Sequence, residues 1–192
     1  MERKIIMKKI IALIIVFVSI TTVWAVKNSS EASSATGPRP ANPALQNPMF
    51  DLEATGEFKL EDVVGKGYPV IINFSATWCG PCKRMKPIYK EANKKYKGKA
   101  ILKTIDVDDP TMKEIVAAAG VSSIPHQIFF YPDGTIPTPE RSPALFEKYG
   151  VKSVMNRRTF STNVQRVGAM DKEIIDGIVK ELSKPAPKEE AK

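Results

Sequence analysis

A chain of 192 residues with 43% hydrophobic and 26% charged side chains holds material for one folded domain and a modest appendage. Two cysteines and one histidine exclude a disulfide scaffold and a zinc site without carboxylate ligands, and they speak against hydrolase triads and two-histidine metal motifs. The net charge of +8 divides into +3 from the first 25 residues and +5 from the rest; eight basic groups between Lys83 and Lys99, with no interleaved aromatic pattern for nucleic acid, read as a solvated helix face.

Residues 1–26 combine a basic start (Arg3, Lys4, Lys8, Lys9) with an uncharged apolar run from Ile10 to Val26. That order is the mark of a secretory signal or a membrane anchor. Val23-Trp24-Ala25 offers a cleavage site, while Trp24 and the length of the run also suit an uncleaved anchor. Residues 27–48, rich in Ser, Ala, Pro and Asn, read as a flexible linker, and residues 185–192 as a polar tail.

Between them, residues 49–184 alternate strand and helix patterns. Val70–Ala76 is a buried strand, Pro81 to about Lys97 a helix with an apolar stripe of Met85, Ile88, Tyr89, Ala92 and Tyr96, kinked at Pro87. Ala100–Val107 is a second strand, and Thr111–Ala119 a helix closed by Gly120. Gln127–Tyr131 is a third strand ended by the turn Pro132-Asp133-Gly134. Asp171 caps a last helix reaching Leu182. The alternation implies an α/β layered fold.

Trp78-Cys79-Gly80-Pro81-Cys82-Lys83 sits where a buried strand ends and a helix begins. Cys79 at a helix N-terminus faces unpaired N–H groups and the positive end of the dipole, which lower a thiol pKa from about 8.5 toward 7 or below. Two intervening residues let the sulfurs meet across one turn, and Pro81 fits a first turn that has no use for its missing N–H.

With WCGPCK, Pro87, the strand ending TIDVDD, the Ile124-Pro125 pair and Val167-Gly168-Ala169, the chain resembles the thioredoxin superfamily from about Phe50 to Leu182. The resemblance implies a thioredoxin-like fold with a central mixed sheet flanked by helices. It implies catalysis by Cys79 and Cys82, supported by Trp78, Gly80, Pro81, Asn73 and a cis Pro125. Ile124, His126 and Gly168 would contact substrate. No cofactor is expected beyond the redox-active disulfide.

Three departures from the cytosolic members stand out. The buried acid six residues before the first cysteine is Asn73, and its usual lysine partner falls on Thr104, so both members of a buried charged pair are neutral. Water, Glu61 or Asp108 are then candidates for the proton of Cys82. His126 follows the proline where threonine is usual; an imidazole reaching Cys79 would lower its pKa. Residues 135–162 form an insertion before the last strand, with a short helix at Ala144–Tyr149, readable as a partner-binding surface or a surface excursion.

These features describe an extracytoplasmic thiol–disulfide oxidoreductase resembling the exported, membrane-anchored proteins of cytochrome c maturation. The Gly-Pro between the cysteines resembles the reducing members. Expected partners are disulfide-containing exported proteins and a membrane protein relaying electrons; the protein is expected to act as a monomer, without nucleic acid. Two alternatives use the same site: a Cu(I) chaperone binding through Cys79, Cys82 and His126, and a disulfide oxidase or isomerase.

Overall fold

The computed structural model describes residues 47–56, 58–156, 159 and 161–185. The signal or anchor segment, nearly all of the linker and all but the first residue of the tail lie outside the described residues. Among the described residues no helix is long and apolar enough to cross a membrane.

Five strands form one sheet in the order β2-β1-β3-β5-β4: β1 (Val70–Ser75), β2 (Ile101–Asp106), β3 (His126–Phe130), β4 (Lys152–Asn156) and β5 (Ser161–Val167). β1 and β2 run parallel, connected by α1 (Gly80–Tyr96); every other pairing is antiparallel, so the sheet is mixed. The inner strand β1 is apolar on both faces because both are covered, as its VIINF run implies.

Side-chain parity sorts the core into two layers. On one face Ile71, Leu102 and Phe129 pack against Met85, Tyr89 and Ala92 of α1 and the Ile175, Ile178, Val179 and Leu182 stripe of α4 (Lys172–Leu182). On the other, Val70, Ile72, Phe74, Ile101, Ile105 and Ile128 cover Phe50, Val63, Met112 and Ala119, below the short helix α2 (Lys113–Ala118). α4 starts at its expected cap, the Asp171 carboxylate accepting from the Ile174 N–H at 2.8 Å. α1 continues through Pro87 for its full 17 residues, with the lysines of Lys83–Lys99 outside.

The inserted segment is built into the domain. It contains α3 (Pro143–Glu147) and β4, an edge strand absent from the sequence reading. Leu145 is fully buried, the Tyr131 hydroxyl donates to Ser142 Oγ at 2.7 Å, and the Arg141 guanidinium lies 3.5 Å over the Tyr131 ring while donating to Asp133. Folded chain also begins two residues earlier than expected: Asn47 caps a 3-10 turn at Pro48–Phe50. The segment after it lies alongside β2 through a parallel bridge between Glu53 and Thr104, closed by Thr104 N–H to Leu52 O and Ala54 N–H to Thr104 O.

Candidate active site

Cys79 occupies the N-cap of α1 and Cys82 its first turn. The strand ends at Ser75, and residues 76–79 carry the chain over the sheet edge. The extended backbone of Cys79 (φ −78°, ψ 112°) then aims Sγ back at the helix end, where it accepts from the Cys82 N–H at 3.3 Å. The two residues are joined as a disulfide with Cα atoms 5.2 Å apart. No acidic residue stands in the first turn of α1, and Lys94 and Lys95 occupy its last turn, so the positive helix end is left to the sulfur. Both cysteines are buried, packed with Ala76, Val107 and Ile124.

The peptide bond Ile124–Pro125 is cis, and the Ile124 carbonyl oxygen lies 3.8 Å from Cys79 Sγ. Gly168 donates its N–H to the Pro125 carbonyl at 2.8 Å. Its φ of +111° is a conformation only glycine takes without strain, and it brings the two loops together. Around them Trp78 is 66% exposed and Val167 49% exposed, an apolar rim open to another chain. The Trp78 indole N–H donates to Asp108 Oδ2 at 2.7 Å.

Asn73 lies beneath the motif, buried, with Thr104 as its partner on β2; the motif-based count across the two strands is thus correct. Gln127 fills the space beside it, donating from Nε2 to Asn73 Oδ1 at 3.1 Å and to the Gly168 carbonyl at 3.2 Å. Arg166 adds a second bond to that carbonyl at 2.8 Å and reaches the Tyr149 carbonyl through Nε at 2.9 Å. A polar chain therefore runs from the floor of the cysteine site through the Gly168 loop into the insertion. Neither Gln127 nor Arg166 stood out in the sequence; strand parity alone, counted from Pro125, could have placed Gln127 on this face.

Three expectations are corrected. His126 is fully buried and pairs with Phe74 and Val167, so its ring belongs to the sheet face opposite Asn73. It packs edge-on to Phe74 at 5.8 Å between ring centroids, and at 0% exposure on the face away from Asn73 its ring is closed to a substrate chain and is not placed to join the cysteines around copper. Among the described residues no group of three His, Cys, Asp or Glu side chains is arranged to hold a metal. Glu61 stands in a 3-10 turn beside Thr111 and Glu114, away from the cysteine cleft, and Asp108, which accepts from Trp78, does not line the cleft beside Cys82.

A family model described as thioredoxin matches residues 53–157. The chain belongs to the thioredoxin family. The H-type thioredoxin of Chlamydomonas reinhardtii is 33% identical over 86 residues, 45% of this chain and 74% of that protein. The thioredoxin of Borreliella burgdorferi is 41% identical over 66 residues, 34% of this chain and 55% of the relative, so the chain spans about half of that protein's length. A thioredoxin pre-protein of Schistosoma mansoni, known as a crystal structure, aligns over 67% of this chain and 95% of its own at 27% identity and a TM-score of 0.46. The thioredoxin-like fold and the cysteine pair are those of a thiol–disulfide oxidoreductase.

Proposed function

We propose that this thioredoxin-family chain is a disulfide reductase acting outside the cytoplasm on exported proteins, with no cofactor beyond its own cysteine pair. The observation that carries the reading is Cys79 Sγ at the N-cap of a 17-residue helix, bonded by the Cys82 N–H and free of acidic neighbours in the first turn. In the reduced protein the same N–H and helix end stabilise a Cys79 thiolate. That thiolate attacks one sulfur of a client disulfide, forming a mixed disulfide and releasing the other client sulfur as thiolate. Cys82, once deprotonated, attacks Cys79; the Cys79–Cys82 disulfide forms and the second client sulfur leaves with its electron pair. Two electrons pass from the pair to the client, and protons are exchanged with solvent. Backbone at the cis Pro125 and Gly168 supports the client segment, and Trp78, Ile124 and Val167 supply its apolar contacts.

The extracytoplasmic placement rests on the sequence of residues 1–26, and the direction of electron flow on Gly80-Pro81. In an oxidising compartment the pair needs re-reduction by a membrane protein relaying cytosolic electrons. Asn73 resembles the exported members of cytochrome c maturation, so apocytochrome c cysteines are the first client class to test. The protein acts as a monomer in this scheme.

The test is insulin reduction by the full-length chain with dithiothreitol as electron source, together with the potential of the pair. Wild type accelerates insulin precipitation with a potential near about −270 mV, and Cys79→Ser removes the activity; a potential above about −150 mV overturns the reductase direction. In cells, Cys82→Ala accumulates a mixed disulfide with an exported protein, and capture of cytosolic proteins alone overturns the placement.

A further inference from the structure

With Asn73 in the place of the acid, the Cys82 proton needs another acceptor, because amide nitrogen and oxygen do not take a proton near neutral pH. A cleft of about 260 Å³ opens beside Cys82, floored by Asn73 and Thr104 and walled by Lys86, Asp106 and Glu53. At roughly 10–15 Å³ for each water, it has room for several. Glu53 arrives there by main-chain pairing rather than by chance of a flexible side chain. Its parallel bridge to Thr104 puts it in line with Asn73, one strand further out and on the same face. The two strand spacings, about 10 Å in all, are spanned by the glutamate side chain and cleft water.

Lys86 of α1 stands 3.8 Å from Glu53 Oε1, a solvent-exposed ion pair at the cleft mouth. The other charged groups facing the cleft are Lys83 and Asp106; on the far side of the Glu53 segment lie Asp51, Asp62 and Lys103. Asp106, whose Oδ1 accepts from the Asp108 N–H at 3.0 Å, is the second carboxylate of the cleft and serves as the control.

We propose that Glu53 is the proton-relay residue for Cys82. When the mixed disulfide has formed, the Cys82 Sγ–H proton passes through cleft water to the Glu53 carboxylate. The freed sulfur attacks Cys79 Sγ, the bond from Cys79 to the client breaks, and the client leaves as thiolate. Glu53 then returns the proton to solvent. The acid of the usual buried pair is thereby supplied from a neighbouring strand position, where it keeps contact with water. This deepens the reductase reading and rests on it.

The experiment is single-turnover reduction of insulin by the pre-reduced full-length chain, read from pH 5.5 to 10 for wild type, Glu53→Gln, Glu53→Asp and Asp106→Asn. Glu53 is 53% exposed at its side chain, so its variants are expected to fold, and their urea midpoints verify it. Glu53→Gln slows turnover by at least about tenfold at pH 7 and converges on wild type toward the alkaline end of the range, where hydroxide replaces the carboxylate as base, and Glu53→Asp recovers part of the rate. Capture of insulin in a Cys82→Ala background, which reports the first attack alone, is unchanged by Glu53→Gln. Overlapping profiles for wild type and Glu53→Gln, a uniform loss at every pH, or a loss in Asp106→Asn instead overturns the relay. If wild type itself reduces no insulin, the reductase reading fails, a result distinct from any of these.

Discussion

Asn73 and His126 lie on adjacent strands, yet their side chains belong to opposite faces, and each answers its surroundings differently. Asn73 has a donor in Gln127 and no charge to bury. His126 has neither ring nitrogen hydrogen-bonded at ordinary geometry among the described residues, and burial holds its pKa below the usual histidine range, with Gln165 opposing part of the shift. The unfolded chain takes up the proton near pH 6.5, where the folded chain does not. Stability is therefore complete above about pH 6.5 and declines as pH falls through the depressed folded-state value. Urea midpoints measured from pH 8 to pH 4.5 should drop on the acid side, and His126→Phe should flatten that limb. A midpoint independent of pH in wild type would remove the argument. The cysteine motif was legible in the sequence because everything it needs is local: a buried strand, a turn and a helix start. The face of His126 was open to the same reasoning, since Gln127, Phe129 and Tyr131 alternate with His126, Ile128 and Phe130. Treating His126 as a neighbour of the sulfurs overlooked that one-residue parity.

At the scale of elements, the insertion changes from an excursion to a brace. α4 carries Gly177 in its middle, a residue that costs about 1 kcal/mol of helix stability relative to alanine. A Cβ at Gly177 would run into the hydroxyl and ring of Tyr149, which lies against the helix there, so the glycine makes room for the insertion. Gly177→Ala should destabilise the wild-type protein by about 1–3 kcal/mol through overpacking. In a Tyr149→Ala background the same change should stabilise by up to about 1 kcal/mol, because only propensity remains. Equal effects in the two backgrounds, measured by urea unfolding, would show that α4 and Tyr149 do not meet. None of this was visible in the sequence, where Gly177 sits inside an otherwise clean stripe. β4 escaped notice for a related reason: its first four residues are exposed, so KSVMN carries no inward alternation. By contrast β1, β2, β3, α1 and α4 were legible because each buries a periodic apolar set.

For the molecule as a whole, one buried charge ties the first described residues to the sheet. Lys103 is 3% exposed, and its ammonium donates to the carbonyls of Pro48 and Asp51 at 3.0 and 2.6 Å. Burial lowers its pKa, and Asp51 and Asp62 work against the shift. Lys103→Met keeps the apolar volume and removes both bonds, each of a kind worth about 1.5–3 kcal/mol. Hydrogen exchange at the Ala54 and Thr104 amides should then accelerate at least about tenfold, with β1 amides unaffected; unchanged protection at Ala54 would mean that Phe50 packing alone holds the segment. Such long-range docking is written in no local pattern, which is why Glu53 did not emerge from the sequence as part of the site.

The 192 residues contain no sulfur able to form a disulfide besides Cys79 and Cys82, and among the described residues the buried Cys79 is flanked by Trp78, Ile124 and Pro125. Whatever refills the pair must dock through the same doorway as the proteins it serves. Donor and acceptor therefore take turns and exclude each other. Steady-state kinetics should show parallel double-reciprocal lines, and a surplus of either partner should slow the traffic of the other.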